Sequence, residues 1–182
     1  MCPSGLEESS STSRRQGRGS QGSEPLRVVE AKGDSVPAAH IVVGYDEDPQ
    51  SQTALQTALE LARRLDAHLD VVHVVDLRDY PVDPDREDWE SESDKALERS
   101  AEHLRSLVQD HPQGWSYHAW RGDPVHLLAA VAEEREALMI VVGTHGPGFT
   151  ATLHRVMGGS VSRGLVGHSH TPVLVVPPSR RH

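Results

Sequence analysis

The chain has 182 residues, 36% of them apolar and only 4% aromatic, with a formal charge of −9, a size that suits one substantial core plus an appendage. That acidity argues against a general nucleic-acid binder, and no apolar run approaches membrane-spanning length. The single cysteine, Cys2, excludes an internal disulfide and a cysteine-rich zinc site, which fits a reducing cytoplasm.

Residues 1–37 lack a periodic apolar pattern and are expected to form a disordered Ser/Gly/Arg-rich tail. Cys2 follows Met1 with no hydrophobic segment before it, so no secretory or lipoprotein signal is expected. The tail's five basic residues balance its five acidic ones, so the net charge belongs to the rest of the chain.

The domain proper spans 38–178. Ala38 to Tyr45 is apolar through its centre and predicts a strand, which runs straight into the acidic turn Asp46-Glu47-Asp48-Pro49. From Ser51, apolar residues at Leu55, Ala58, Leu59, Ala62 and Leu65 fall at helical intervals and predict a helix packed on a sheet. His68 to Val75 predicts a second strand. Residues 76–94 hold nine acidic residues against Arg78 and Arg86, and are expected to be a solvated acidic loop. A second helix is predicted from about Ser93 to Gln109, stopped by His111-Pro112-Gln113-Gly114.

Trp115 to Trp120 predicts a third strand, expected at a sheet edge. Asp123 stands where an N-cap belongs and Pro124 at the first helical position of a third helix reaching about Glu136. Leu138 to Val142 is a short apolar run rich in β-branching, suited to a strand covered on both faces. Val161, Leu165 and Val166 mark a short fourth helix ending near Gly167, and Val173 to Val176 a fifth strand before Pro177-Pro178 and the short tail 179–182. This alternation calls for a parallel sheet with helices on both faces, with ligands beyond the carboxyl ends of the strands at a topological switch point.

The corner after Gly143 carries the chemistry. Gly143, Gly146, Gly148, Gly158 and Gly159 supply backbone able to take positive φ and approach a ligand closely, and Ser160 is placed to contact an anion at a helix start. From Ala137 to His182 there is no Asp or Glu, while Arg155, Arg163, Arg180 and Arg181 are present, so nothing there repels phosphate. The alternative is a connection that merely turns the chain. Twelve histidines raise a metal site, but His168 and His170 stand among glycine and serine with no carboxylate or thiolate nearby, and no metal site is expected. There is no G-x-S-x-G elbow and no G-x4-G-K-[ST] phosphate loop, so no catalysis is expected beyond slow, incidental ATP hydrolysis.

With those residues placed, the chain resembles the universal stress protein family over nearly all of 38–178. IVVGYDED, VVHVVD, the GDP opening the third helix, IVVGTHG, GGS and TPVLVVP stand in the family's order and spacing. The resemblance implies a single Rossmann-like three-layer α/β domain of the adenine nucleotide alpha hydrolase-like type, with a five-stranded parallel sheet of order 3-2-1-4-5. It implies a stress-response role, and a homodimer through Val173, Leu174, Val175 and Val176. ATP, accompanied by Mg, is the implied ligand in those members that carry a motif G-x2-G-x9-G-[ST].

Carried over by position, Asp46 and Tyr45 match the carboxylate and backbone that hold the adenosine moiety, and Val74 an adenine contact. Gly143 and Gly146 match the first two motif glycines, Gly159-Ser160 the last pair followed by Val161, and His145 a position between the first two. The spacing departs from the motif. Twelve residues separate Gly146 from Gly159; counting from Gly148 to Gly158 restores nine but puts Gly159 in place of Ser or Thr. A member of the same fold that does not bind nucleotide and acts as an interaction module is therefore the alternative reading.

Overall fold

A computed structural model describes residues 24–33, 36–46, 49–75, 89–144 and 161–178. The elements in chain order are β1 Glu24–Lys32, β2 Ala39–Tyr45, α1 Pro49–Arg64, β3 Ala67–Val75, α2 Trp89–Val108, β4 Gly114–Arg121, α3 Pro124–Glu134, β5 Met139–Gly143, α4 Val161–His168 and β6 Val173–Val176. They build one six-stranded sheet of order β1-β4-β3-β2-β5-β6. Strands β4-β3-β2-β5-β6 pair in parallel throughout and reproduce the expected 3-2-1-4-5 order.

Strand alternation explains the three layers. Ile41, Val43 and Tyr45 of β2, Leu69 and Val71 of β3 and Tyr117 of β4 point to one face. There they meet Leu55 and Ala58 of α1 and Leu97 and Leu104 of α2. Val42, Val72, Ile140 and Val142 point to the other, against Leu128 and Val131 of α3 and Leu165 of α4. Because both faces are covered, these strands carry apolar residues at consecutive positions, which is the signal their sequences show. No described helix is long and apolar enough to cross a membrane.

Three expectations need correction. Residues 24–32 are not a disordered tail but β1, which pairs antiparallel with β4 from Glu24↔Arg121 to Lys32↔Gly114. The sheet is therefore mixed, and β4 is not an edge strand. The direction of β1 follows from reach. The seven steps from Lys32 to Ala39 span at most about 25 Å. That covers the three strand spacings between β1 and β2, about 14 Å, only if β1 ends at the same end of the sheet where β2 begins. Gly33 suits this crossing, since a Cβ there would collide with the backbone of Pro112 and Gln113. Third, α2 begins at Trp89, so the last part of the acidic stretch 76–94 is helical rather than loop.

β1 also carries devices that suit an outer edge: Pro25, a register shift between Pro25 and Arg27, and the exposed charge of Glu30. The opposite edge is β6, where Leu174 is 37% exposed.

Candidate functional site

The strand order reverses at β2, which has β3 on one side and β5 on the other, and the crevice of such a sheet lies beyond the carboxyl ends of those strands. The register places Val43 opposite Val141. Two residues on, Tyr45 and Gly143 therefore end their strands at one level, and Tyr45 pairs in turn with His73, next to Val74. The chain leaves β5 through Thr144, whose amide still donates to the Val176 carbonyl at 2.9 Å.

Local chemistry fixes each residue differently. Tyr45 faces the α1 and α2 layer, is 3% exposed, and lies edge-on to His73 at 6.3 Å between ring centroids. Its ring belongs to the core, so only its main chain is left at the corner. Asp46 is exposed, and its amide donates to the Ser51 hydroxyl at 3.3 Å, which turns the chain from β2 into α1. Val74 and Val161 both pack on the apolar cluster beneath α3 and α4. The first residue of α4 and Val74 of β3 thus share one floor. Gly143 closes β5 opposite Val176. Tyr45, Asp46, Val74, Gly143 and Val161 are therefore gathered at the carboxyl end of the sheet, whereas His145, Gly146, Gly148, Gly159 and Ser160 lie outside the described residues.

Two contributors escaped the sequence reading. Gly44 faces α3, where an added Cβ would stand 3.3 Å from Val142 Cγ1 and 3.4 Å from Leu128 Cδ1, so its bareness lets α3 sit close to β2 beside the corner. Gly164 does the same between helices, since a Cβ there would meet Val125 Cγ2 of α3 at 2.7 Å. Both glycines were visible in the sequence, but only the fold shows what approaches them. The Asp123 N-cap is as expected, its carboxylate accepting from the His126 amide at 2.9 Å with Pro124 opening α3. Among the described residues no group of His, Cys, Asp or Glu has the arrangement of a metal site.

The universal stress protein family matches residues 38–177, so the chain belongs to that family. A universal stress protein of Methanocaldococcus jannaschii is 29% identical over 145 residues, covering 78% of this chain and 83% of the relative. One from Mycolicibacterium smegmatis is 33% identical over 159 residues, covering 83% of this chain; the chain spans about half of that relative's length, 51%. In structure, the universal stress protein UspA from Lactobacillus plantarum superposes with a TM-score of 0.57 at 24% identity, over 78% of this chain and 99% of its own, a likeness of fold. A universal stress protein solved in complex with cAMP is 25% identical, with a TM-score of 0.53 over 78% of this chain and 99% of that one.

Proposed function

We propose that this chain is a stress-response sensor that binds an adenine nucleotide at the carboxyl corner of β2 and β5, with ATP and Mg as the expected ligand, and acts by changing conformation or partner rather than by catalysis. The observation that carries this reading is the reversal of strand order at β2, which gathers Asp46, Val74, Gly143 and Val161 at one end of the sheet. The relative held with cAMP supports the adenine-nucleotide class. In this reading the Asp46 carboxylate holds ribose, Val74 packs on the base, and the backbone from Gly143 through His145, Gly146 and Gly148 to Gly159-Ser160 cradles phosphate with the start of α4 at Val161. The protein works in the cytoplasm, and two copies join through Val173, Leu174, Val175 and Val176 of β6. Light scattering tests the dimer: Leu174→Asp should halve the mass, and an unchanged mass overturns it.

Calorimetric titration with ATP, AMP and cAMP tests the nucleotide. Binding should occur with one of them and be lost in Gly143→Val, because a branched side chain would fill space that backbone and phosphate share. No heat at millimolar nucleotide would leave the second reading, an interaction module without a ligand, which the twelve-residue spacing from Gly146 to Gly159 favours.

A further inference from the structure

At the other end of the same strands lies a polar interior that the nucleotide reading does not use. On the sheet face toward α3, the registers align Val42, Asp70, Ser116 and Glu30 across β2, β3, β4 and β1. His40 pairs with His68 in the row nearer the amino ends, and Val72 with His118 and Val28 in the row beyond. The Asp70 side chain is 0% exposed. His40 Nδ1 donates to Asp70 Oδ2 at 2.7 Å, while His118 Nε2 and Arg135 Nε each stand 3.5 Å from Oδ1, close enough for charge but long for a hydrogen bond. Arg135, which caps α3, also reaches Glu30 of β1 at 3.5 Å. One guanidinium thus spans from a buried carboxylate to a strand that lies outside the residues matched by the family.

We propose that this cluster is a proton-sensitive clasp, which holds β1 on the edge of β4 and releases it on acidification. The groups facing one another are His40 on β2, His68 and Asp70 on β3, His118 on β4, Arg135 after α3 and Glu30 on β1. With the histidines neutral, one cation meets two carboxylates, a net attraction for Arg135. Protonation of His68 sets a second cation against Arg135, and their mutual repulsion weakens the hold of Arg135 on the carboxylates.

The surroundings of His68 oppose a proton. Its Nδ1 faces the Gln113 carbonyl at 3.1 Å, so that nitrogen carries the hydrogen, and Nε2, 2.8 Å from Ser116 Oγ, accepts from the hydroxyl. Burial, with Arg135 and His40 adding to it, holds its pKa below the ordinary 6.5 despite the opposing pull of Asp70. Asp70 stays ionised: burial pushes its pKa up, but the contacts with His118 and His40 more than offset that.

The sign follows. A base whose folded pKa is depressed contributes fully above the ordinary histidine value, and its contribution is lost as the pH falls below it. The strand that yields is β1, because it is paired on one side only and its lifting opens His118 and Ser116 to water. The clasp is separate from the nucleotide corner, and its loss would leave a nucleotide titration at neutral pH unchanged.

Nuclear Overhauser contacts across the sheet test the proposal in the full chain. Between about pH 7.5 and about pH 5.5, a range that crosses histidine titration, the β1–β4 contacts, such as Val29 to Tyr117, should disappear while β3–β4 contacts, such as Val71 to Tyr117, remain. The double variant His68→Gln/His118→Gln should keep β1 paired at the lower pH. Arg135→Gln should loosen it already at the higher one, which keeps the proposal open to refutation if the double variant does not fold. Persistence of the β1–β4 contacts at the lower pH, their loss together with β3–β4, acid release undiminished in the double variant, or full pairing in Arg135→Gln would each overturn it.

Discussion

The two ends of one set of strands solve opposite problems. At the carboxyl end, β2 and β5 stop beside each other at half-buried Gly143 and the exposed Asp46. At the amino end, polar side chains from β2, β3 and β4 turn inward, and the buried charge of Asp70 faces His40, His118 and Arg135, with a hydrogen bond from His40 to Oδ2. A group left open to a ligand adds little to folding, whereas a buried charge must be partnered or it destabilises. Affinity and stability should therefore separate along the length of a strand.

The largest effect expected from that contrast comes from two matched substitutions. Asp70→Asn removes a buried charge from His40, His118 and Arg135, and should lower unfolding free energy by about 2–3 kcal/mol, the scale of a hydrogen bond to a charged group. Nucleotide affinity at neutral pH should stay within experimental error. Asp46→Asn should do the reverse, changing stability by no more than about 0.5 kcal/mol, as surface substitutions do, while weakening nucleotide binding roughly tenfold, the equivalent of about 1.4 kcal/mol. Urea unfolding and calorimetric titration of both variants decide it. If Asp46→Asn loses as much stability as Asp70→Asn, the two ends do not divide the work.

The end that can be seen in the sequence is the one made of local signals. The apolar runs of β2, β3 and β5 and the helical spacing of α1 each show within a dozen residues, and the acidic turn at Asp46 and the glycines after Val142 mark the corner without any tertiary knowledge. The amino-end cluster has no such signal. His40 meets Asp70 across 30 residues and His68 meets Ser116 across 48, and only sheet register brings them together. β1 was hidden for a related reason: EPLRVVEAK carries a proline and alternating charges that suit an outer edge, so its strand character comes from pairing with β4 rather than from its own periodicity.

A pH series sharpens the contrast next. His111, at the turn after α2, donates through Nε2 to the Ala67 carbonyl at 2.8 Å, leaving Nδ1 buried without a partner. Burial, the main cause, and the charge of Arg63 hold its pKa below 6.5, although the bond to Ala67 pulls the other way. As a base with a depressed pKa, His111 contributes fully above pH 6.5, and its contribution declines as the pH falls. The urea midpoint should therefore fall on acidification, and His111→Gln, which can still donate to Ala67, should flatten that fall. An equal slope in the variant would mean that His111 does not bind a proton on unfolding.

A modest effect on stability should come from Gly164→Ala, and it tests whether the corner depends on how α4 is seated. An alanine in a helix gains about 0.8–1 kcal/mol over glycine. Here the new Cβ meets Val125 Cγ2 at 2.7 Å, a branched side chain that cannot swing aside, so α3 and α4 must part slightly. Overpacking of that kind costs about 1–3 kcal/mol. The two terms leave a net loss of about 1 kcal/mol. The displacement falls on the helix that begins at Val161, so nucleotide affinity should drop more than stability does. A variant that binds nucleotide as the wild type does would show that the phosphate cradle takes its shape from the glycine loop alone, without support from the packing of α4 against α3.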